Sequence, residues 1–359
     1  MKVLLHGATN TSNFGDVLFA RLVYKKCLDA GFESADFVRM PRYGVGEFVR
    51  RELSYTRRLS LAQMLKRDML ILIPGGYFGE DKGSFRSSAK RFLRYVFPAL
   101  LFSVTGKPIC ILGVGGGPLS SPILRKFTVK LWNRALRITV RDEETAEYFK
   151  KYGVVREITV TSDASQVVTP ALVPPFERER ELRERFGKKK LILLHLAAKV
   201  ERGDAFADNV VPALRRFLSE HPDYALAVSA DIEYSKDTLL KMRSVQALGT
   251  DDFFLYEYHD CMQFCALLNT VSLIITPKLH AGIVGAALGK SVISFPLHRE
   301  KTRRYYRQIG EDGRCTEIDK LTPELAYMKL NEYYDKPITL SSEIRSLAES
   351  NLTIIDELV

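Results

Sequence analysis

Lys278 and His280 lie two positions apart after an apolar, β-rich segment that ends at Pro277. A helix rich in small residues is predicted to follow at 281–288. Proteins of the α/β class place ligands at such strand–loop–helix junctions, and the first N–H groups of a helix favour an anion. Lys278 can neutralise that anion, and His280 can transfer a proton near neutral pH. The alternative is that His280 is an inert residue at the start of the helix.

Length and composition bound the class of protein. A chain of 359 residues exceeds one ordinary core, so we expect two domains. The net charge of +10 indicates an anionic partner, such as a phosphorylated substrate, an acidic lipid surface or nucleic acid. Five cysteines fit neither a disulfide framework nor a zinc site, so we expect a reducing cytoplasm and no metal. We expect no signal peptide and no membrane span, which needs about 20 apolar residues.

The order of apolar and helical segments predicts the architecture. Short strand-like runs alternate with helices along the whole chain, which is typical of parallel sheets covered on both faces. We predict an α/β protein with two doubly wound Rossmann-like domains, similar to the glycosyltransferase-B architecture, whose cleft would hold the ligands. The predicted parts are an N-terminal domain at 1–168, a linker at 169–190, a C-terminal domain at 191–335, and a last helix at 336–359 that could cross back to the first domain.

Loops that follow predicted strands carry the candidate residues of the first domain. These are Asn13, Gly15, Asp16, Gly75, Gly76, Gly115 and Gly116. Asp16 is expected to cap the next helix, and the glycines would let a backbone approach a ligand without obstruction. The glycines around Gly115 do not match the dinucleotide fingerprint. A helix cap or a tight turn without a ligand explains each loop about equally well.

Four further candidate residues follow later strands. Asp163 could form an Asx turn or act as a general base. His298 precedes a basic helix in which Lys301 and Arg304 would share one face and could hold a phosphate or a carboxylate. A solvated basic face is the structural alternative for this helix.

Residues 125–137 contain five basic residues and no acid. Lys126, Lys130, Arg134 and Arg137 recur at steps of three or four residues, which predicts an amphipathic helix with a basic stripe. Such a helix could rest on anionic headgroups or meet a lipid diphosphate. Nucleic acid is not expected here because the aromatic residues of a single-strand binder are missing.

Taken together, these motifs resemble the polysaccharide pyruvyl transferase family. The resemblance covers about residues 3–310 and depends on the order of its motifs. The motifs are Asn13-Phe14-Gly15-Asp16, Pro74-Gly75-Gly76, Arg141-Asp142 with a later Asp163, and Lys278-Leu279-His280-Ala281-Gly282 with a later Lys301. The family usually has Arg at position 278, and Lys keeps the charge but loses the bidentate fork.

The resemblance implies transfer of a pyruvyl group from phosphoenolpyruvate to a pair of sugar hydroxyls, giving a cyclic ketal and phosphate. Phosphoenolpyruvate would be a co-substrate, and no cofactor is implied. Lys278, Lys301 and Arg141 would hold its carboxylate and phosphate. His280 would donate the proton or assist the leaving phosphate, and Asp16 or Asp163 would orient or deprotonate the sugar. The acceptor would be a glycan, often on a lipid carrier at the inner membrane face, with the donor in the second domain and the acceptor in the first.

Two other functions remain open at the level of the sequence. A nucleotide-sugar glycosyltransferase of the same architecture would also need basic residues for a diphosphate. A non-catalytic scaffold for glycan assembly at a membrane surface would need only the basic stripe at 125–137. The glycosyltransferase would use a nucleotide sugar instead of phosphoenolpyruvate as its donor. The scaffold would keep its function when Lys278 and His280 are replaced.

Overall fold

The computed structural model describes residues 1–40, 44–79, 84–196, 205–296 and 299–359. The chain divides into two compact units. The first unit comprises Met1–Ala164 and Glu343–Val359, and the second comprises Ser165–Ser342. His298, one of the predicted ligand-binding residues, lies outside the described residues.

The first unit contains a seven-stranded sheet among its described residues, and all of its pairings are parallel. The strands are β1 Lys2–His6, β2 Ser34–Phe37, β3 Met69–Leu72, β4 Gly75–Phe78, β5 Ile109–Gly116, β6 Arg137–Val140 and β7 Thr159–Val160. Their order is β2-β1-β3-β5-β6-β7, and β4 pairs with β5. The central strands are buried on both faces, which explains why they read as continuous apolar runs rather than as alternating patterns.

Helices cover this sheet. They are α1 Phe14–Asp29, α2 Glu47–Glu52, α3 Leu61–Leu65, α4 Phe85–Arg91, α5 Phe97–Ser103, α6 Pro122–Trp132 and α7 Glu143–Lys151, and a π-helical turn at Phe92–Val96 joins α4 to α5. The sequence Ser121-Pro122 is typical of a helix start, and α6 begins there: the Ser121 hydroxyl accepts from the Leu124 N–H, and Pro122 is the first helical residue.

The second unit contains a five-stranded parallel sheet in the order β10-β9-β8-β11-β12. Its strands are β8 Lys190–Leu196, β9 Tyr224–Ala230, β10 Phe253–Tyr256, β11 Leu273–Thr276 and β12 Ser291–Ser294. Its described helices are α8 Glu179–Phe186, α9 Val211–Glu220, α10 Lys236–Leu240, α11 Arg243–Gln246, α12 Cys261–Thr270, α13 Leu279–Ala287, α14 Arg299–Gln308 and α15 Pro323–Tyr333. A π-helical turn at Phe206–Val210 precedes α9.

The last helix, α16 (Ser342–Thr353), packs into the first unit. Its Asn351 side chain is fully buried. The Asn351 Oδ1 accepts from the hydroxyls of Thr139 (2.7 Å) and Thr161 (3.0 Å), and its Nδ2 donates to the Ser162 carbonyl (2.8 Å). One amide therefore satisfies polar groups near the ends of β6 and β7, which would be costly to leave unpaired.

Several predicted loops are regular structure. Gly115 and Gly116 belong to strand β5 rather than to a loop after it, and Gly75 and Gly76 begin β4 instead of opening a loop. The helix at the central junction begins at Leu279, so His280 lies in its first turn rather than in a preceding loop. In each case pairing or helical hydrogen bonding in the folded chain overrides the turn preference of the local sequence.

Candidate functional site

A buried ion pair lies at the carboxyl ends of β6 and β7 in the first unit. Arg141 follows β6, and its Nη1 lies 3.1 Å from the Oδ2 of Asp163. Both side chains are almost fully buried. Arg141 Nε also lies 3.8 Å from Asp142, which caps α7 through its Oδ1. A guanidinium held this way keeps its position, and the carboxylate partner offsets much of its desolvation.

Two glycines flank the Arg141 guanidinium. A β-carbon at Gly115 would lie 2.5 Å from Arg141 Nε, which is too close for any real contact. A β-carbon at Gly76 would lie 3.6 Å from Nη2, and Gly76 is exposed. Gly115 therefore makes room for the guanidinium, and the exposed Gly76 places no side chain beside Nη2, where a small anion could approach. The structure brings Gly76, Gly115, Arg141 and Asp163 together, and their roles in binding or catalysis stay predictions.

Gly75 and Gly116 have structural roles in the same region. Gly75 has φ of +154°, a conformation that favours glycine, and it packs against the Tyr77 ring. Gly116 donates its N–H to the Thr145 hydroxyl at 2.9 Å, and a β-carbon there would meet the Phe149 ring at 2.5 Å. These contacts explain both glycines without a ligand.

The first turn of α1 holds Gly15 and Asp16, which are buried and half-buried. The expectation that Asp16 caps the helix is wrong, because Asn13 occupies the N-cap position and α1 begins at Phe14. The N-cap side chain makes no capping bond. Burial raises the pKa of the neighbouring Tyr77 hydroxyl well above its usual value, and the charges of Tyr95 and Asp16 raise it further. Asp16 therefore lies near enough to Tyr77 on β4 for its charge to act on that hydroxyl.

In the second unit, Lys278 forms an ion pair that the sequence did not reveal. Lys278 occupies the N-cap position of α13, and its Nζ lies 3.0 and 3.3 Å from the two carboxylate oxygens of Asp231. Asp231 follows β9 and is 3% exposed, whereas the Lys278 side chain is 19% exposed. The carboxylate fixes the ammonium group at the carboxyl end of the sheet, with the lysine still open to a ligand.

Behind this pair lies a buried histidine, His195, on β8. Its Nδ1 is 2.7 Å from the Thr276 hydroxyl, and its Nε2 is 3.9 Å from Asp231. Burial lowers the pKa of His195 to about 4; the Asp231 charge opposes this shift and the Lys278 charge adds to it. The ring is therefore neutral at pH 7. The Thr276 hydroxyl also accepts from the Lys278 N–H at 3.0 Å, so His195, Thr276 and Lys278 form one network.

His280 is half-buried in the first turn of α13. Two residues later, Gly282 allows a close helix contact, because a β-carbon there would lie 2.7 Å from the Tyr306 hydroxyl of α14. Burial raises the pKa of that hydroxyl far above its usual value. Tyr306 is thus a neutral packing residue beside the turn that carries the imidazole.

Lys301 and Arg304 are both half-buried on α14. Their neighbours Thr302 and Tyr305 are buried, so α14 lies against the unit through an adjacent face. This differs from a fully solvated basic face. Lys278, His280 and Lys301 all belong to the second unit. They lie in the segment that runs from the carboxyl end of β11 to the first turn of α14.

The basic stripe at 125–137 is only partly helical. Helix α6 ends at Trp132, so Arg134 and Arg137 lie beyond it. Arg125 turns away from the stripe, because its guanidinium donates to the Leu119 carbonyl and lies 4.6 Å from the centre of the Tyr152 ring. Lys126, Lys130, Arg134 and Arg137 remain exposed.

Sequence reasoning missed Asp231, His195 and Thr276. Each lies at or directly after the carboxyl end of a parallel strand, which is the one signal that could have identified them. In the described part of the chain, no group of three or more His, Cys, Asp or Glu side chains is arranged to hold a metal ion. Over the same residues, no helix combines the length and apolar character needed to cross a membrane.

The sequence model of a family described as Polysaccharide pyruvyl transferase matches residues 13–299. No curated protein matches the chain. The matched segment contains Asn13 to Asp16, the Arg141 pair and the Lys278–His280 turn, but ends before Lys301.

Several solved structures are similar over nearly their whole length. The UDP-GlcNAc 2-epimerase from Methanocaldococcus jannaschii has a TM-score of 0.66 at 12% identity, covering 99% of this chain and 98% of that chain. S. aureus MnaA, in a co-structure with UDP, has a TM-score of 0.63 at 15% identity, with 99% and 94% covered. The UDP-GlcNAc 2-epimerase from Neisseria meningitidis has 0.62 at 12% identity, with 100% and 99% covered. Likeness at such identities shows the fold, and the predicted glycosyltransferase-B-like α/β fold is confirmed.

Proposed function

Because the chain belongs to the polysaccharide pyruvyl transferase family, we propose that it transfers the pyruvyl group of phosphoenolpyruvate to two hydroxyls of one sugar. The acceptor belongs to a surface polysaccharide or its lipid-linked precursor, and the products are a cyclic ketal and phosphate. The observation that supports this most is the turn at α13, where a cation held by a buried carboxylate precedes a half-buried imidazole. The helix N-terminus adds its N–H groups to this turn.

Lys278 and Lys301 bind the anionic donor in this proposal. Phosphoenolpyruvate carries a carboxylate and a phosphate, so it needs more than one cation. Lys278 has three N–H donors, and the Asp231 carboxylate orients its ammonium group. Neutral His195 behind the pair adds no positive charge that would compete for Asp231.

His280 supplies proton transfer. A proton adds to the methylene carbon of phosphoenolpyruvate, which becomes the methyl group and leaves an oxocarbenium-like carbon. One sugar hydroxyl attacks that carbon, the C–O bond to phosphate breaks, and the second hydroxyl closes the ring. Of the two hydroxyl protons released, one replaces the proton given to the methyl group and the other leaves with phosphate. The imidazole serves as the donor to carbon or as the acid for the leaving phosphate.

In the first unit, we assign anion contact to Arg141 and sugar contact to Asp16. The guanidinium is already fixed by Asp163, so binding a ligand costs little further ordering. Because Asp163 is 2% exposed and paired with Arg141, we assign it to positioning, and Asp16 to orienting or deprotonating a hydroxyl.

A peripheral contact with an anionic membrane fits the surface of α6. Lys126 and Lys130 are exposed beside Ile123, which is 62% exposed. Leu136, which is 58% exposed, lies between the exposed residues Arg134 and Arg137. Each basic residue near an anionic surface contributes about 1 kcal/mol. A lipid-linked acceptor would bring the enzyme to such a surface.

A nucleotide-sugar enzyme is the second candidate, since the similar solved structures include UDP-GlcNAc 2-epimerases. Thermal stabilisation separates the two donors. Phosphoenolpyruvate should raise the melting temperature through Lys278, so Lys278→Met should abolish this rise. A rise with a UDP-sugar that Lys278→Met also abolishes would instead favour the nucleotide-sugar enzyme.

Phosphate release from phosphoenolpyruvate, measured against a panel of galactosides, glucosides and mannosamine derivatives, tests the proposal. Mass analysis should show a pyruvate ketal on one of these acceptors. Release that does not depend on any acceptor, or turnover of a UDP-sugar in place of phosphoenolpyruvate, would overturn it.

A further inference from the structure

A second cationic site lies in the first unit, outside the residues that the sequence singled out. An open cavity of about 240 Å³ is lined by Asn10, Arg39, Met40, Gly44, Val45, Arg50 and Arg58. This volume is below the roughly 300–1,000 Å³ of pockets that enclose a whole drug-sized ligand. The cavity therefore suits one charged group of a larger molecule.

The charge of this cavity is not neutralised by the protein. Among the described residues, no carboxylate oxygen lies within ion-pair distance of Arg39, Arg50 or Arg58. Their neighbours differ, because Arg57 and Arg67 both pair with the fully buried Asp36, at 3.3 and 2.8 Å. Three like charges around one cavity repel one another, and an anion between them removes that cost.

The walls of the cavity are fixed by backbone contacts. Arg50 Nη1 donates to the carbonyls of Tyr55 and Arg57, both at 3.3 Å. The Gly46 N–H donates to the Thr9 carbonyl at 2.9 Å, and a β-carbon at Gly46 would lie 3.1 Å from the Thr11 nitrogen. Arg94 Nη2 donates to the Asn10 carbonyl at 3.2 Å. The Arg50 guanidinium and the backbone of the loop after β1 are therefore held in place before any ligand binds, whereas the side chains of Arg39 and Arg58 are exposed.

The cavity and the Arg141 site lie along the same edge of the first unit's sheet. Arg39 follows β2, and Arg141 follows β6, so both lie at the carboxyl ends of strands in one parallel sheet. Four strand spacings separate β2 from β6, which is roughly 20 Å at about 4.8 Å each. An acceptor that spans several sugar units could reach from one site to the other.

We infer that the cavity lined by Arg39, Arg50 and Arg58 binds a diphosphate group. Guanidinium groups bind phosphate oxygens in bidentate fashion, and a diphosphate carries more charge to match three arginines than a carboxylate or a monophosphate does. The identity of the carrier rests on the proposed function, in which the diphosphate joins the acceptor glycan to a lipid. The same chemistry occurs in a nucleoside diphosphate, and binding measurements separate the two sources.

Isothermal titration calorimetry of the full chain with farnesyl diphosphate, farnesyl monophosphate, UDP and UMP tests the inference. We expect a diphosphate to bind at least about tenfold more tightly than its monophosphate, and the affinity to fall with salt. Tighter binding of farnesyl diphosphate than of UDP identifies a lipid carrier, and the reverse identifies a nucleotide. Equal binding of monophosphates and diphosphates would overturn the assignment.

The variant for this test is Arg39→Gln/Arg58→Gln, because both side chains are exposed and the fold should persist. Arg156→Gln/Arg215→Gln removes the same charge from exposed positions elsewhere and is the matched control. We expect the first pair to weaken diphosphate binding by tenfold or more and the control by less than twofold. Unchanged binding in the first pair refutes the site. Pyruvyl transfer to a free sugar without a carrier should be the same in the two double variants. This activity tests the proposed function, and diphosphate binding tests the cavity, so failure of one can be distinguished from failure of the other.

Discussion

The guanidinium of Arg141 occupies the space that a side chain at position 115 would need. A β-carbon on Gly115 would lie 2.5 Å from Nε and 2.7 Å from Cζ and Nη2. The ion pair with Asp163 and the bare strand backbone therefore depend on each other.

Gly115→Ala should displace that guanidinium. The Gly115 backbone is not in the left-handed region, so the added methyl group acts by overpacking, which costs about 1–3 kcal/mol. We expect a lower free energy of unfolding in urea and weaker binding of the anionic ligand at Arg141. Gly117→Ala is the control, since its nearest neighbour would be 3.9 Å away. Equal stability of the two variants would contradict this account.

Lys278→Met should affect both stability and donor binding. It leaves the Asp231 carboxylate buried without its cation, which costs about 3–5 kcal/mol. Adding Asp231→Asn removes the orphaned charge, so the double variant should recover most of the unfolding free energy. It should not recover the KM for phosphoenolpyruvate, because the ammonium group is still missing. Recovery of both quantities would show that Lys278 has only a structural role.

His280→Gln should lower kcat by about 10²–10⁴, the usual contribution of a positioned acid or base. The KM for phosphoenolpyruvate should change much less, because the lysines supply the charge. His259→Gln is the control, as His259 is half-exposed and bonded to Glu177 at the surface of the same unit. A kcat within about threefold of the wild type would remove His280 from the mechanism.

Stability should fall when the pH drops below about 6.5. Burial lowers the pKa values of His6 and His195 to about 4, so between pH 6.5 and 4 the unfolded chain binds more protons than the folded one. At pH 5 each histidine should cost about 2 kcal/mol relative to pH 7. Urea unfolding of wild type and His6→Gln at both pH values measures this. The fall in unfolding free energy from pH 7 to pH 5 should be smaller in His6→Gln than in the wild type by about 2 kcal/mol, the contribution of one histidine. An equal fall in both proteins would contradict the prediction.

The sequence predicted the strands and the helix starts well where local rules decide the structure. Continuous apolar runs marked the parallel strands, and Ser121 followed by Pro122 marked the start of α6. Motif order identified the family that the sequence model matches. It also singled out Arg141, Asp163, Lys278 and His280, whose catalytic and binding roles stay predictions.

The partners of these residues could not be read from the sequence. Asp231 is far from Lys278 along the chain, and only the order of the strands brings them within 3.0 Å. Gly115 looked like a loop residue because glycine usually marks a turn, whereas here it makes room for a side chain from the neighbouring strand. Both are consequences of tertiary packing, which local patterns do not encode.

The Asn351 amide, bonded to Thr139, Thr161 and the Ser162 carbonyl, fixes the order in which the chain can mature during synthesis. The second unit is one uninterrupted stretch and can fold as soon as it leaves the ribosome. Most of the first unit is translated earlier, yet Asn351 lies in the segment Glu343–Val359, so the Thr139 and Thr161 hydroxyls meet this amide only after the second unit has been made. A truncation that removes only the last helix should therefore spare the later half and leave the earlier half immature.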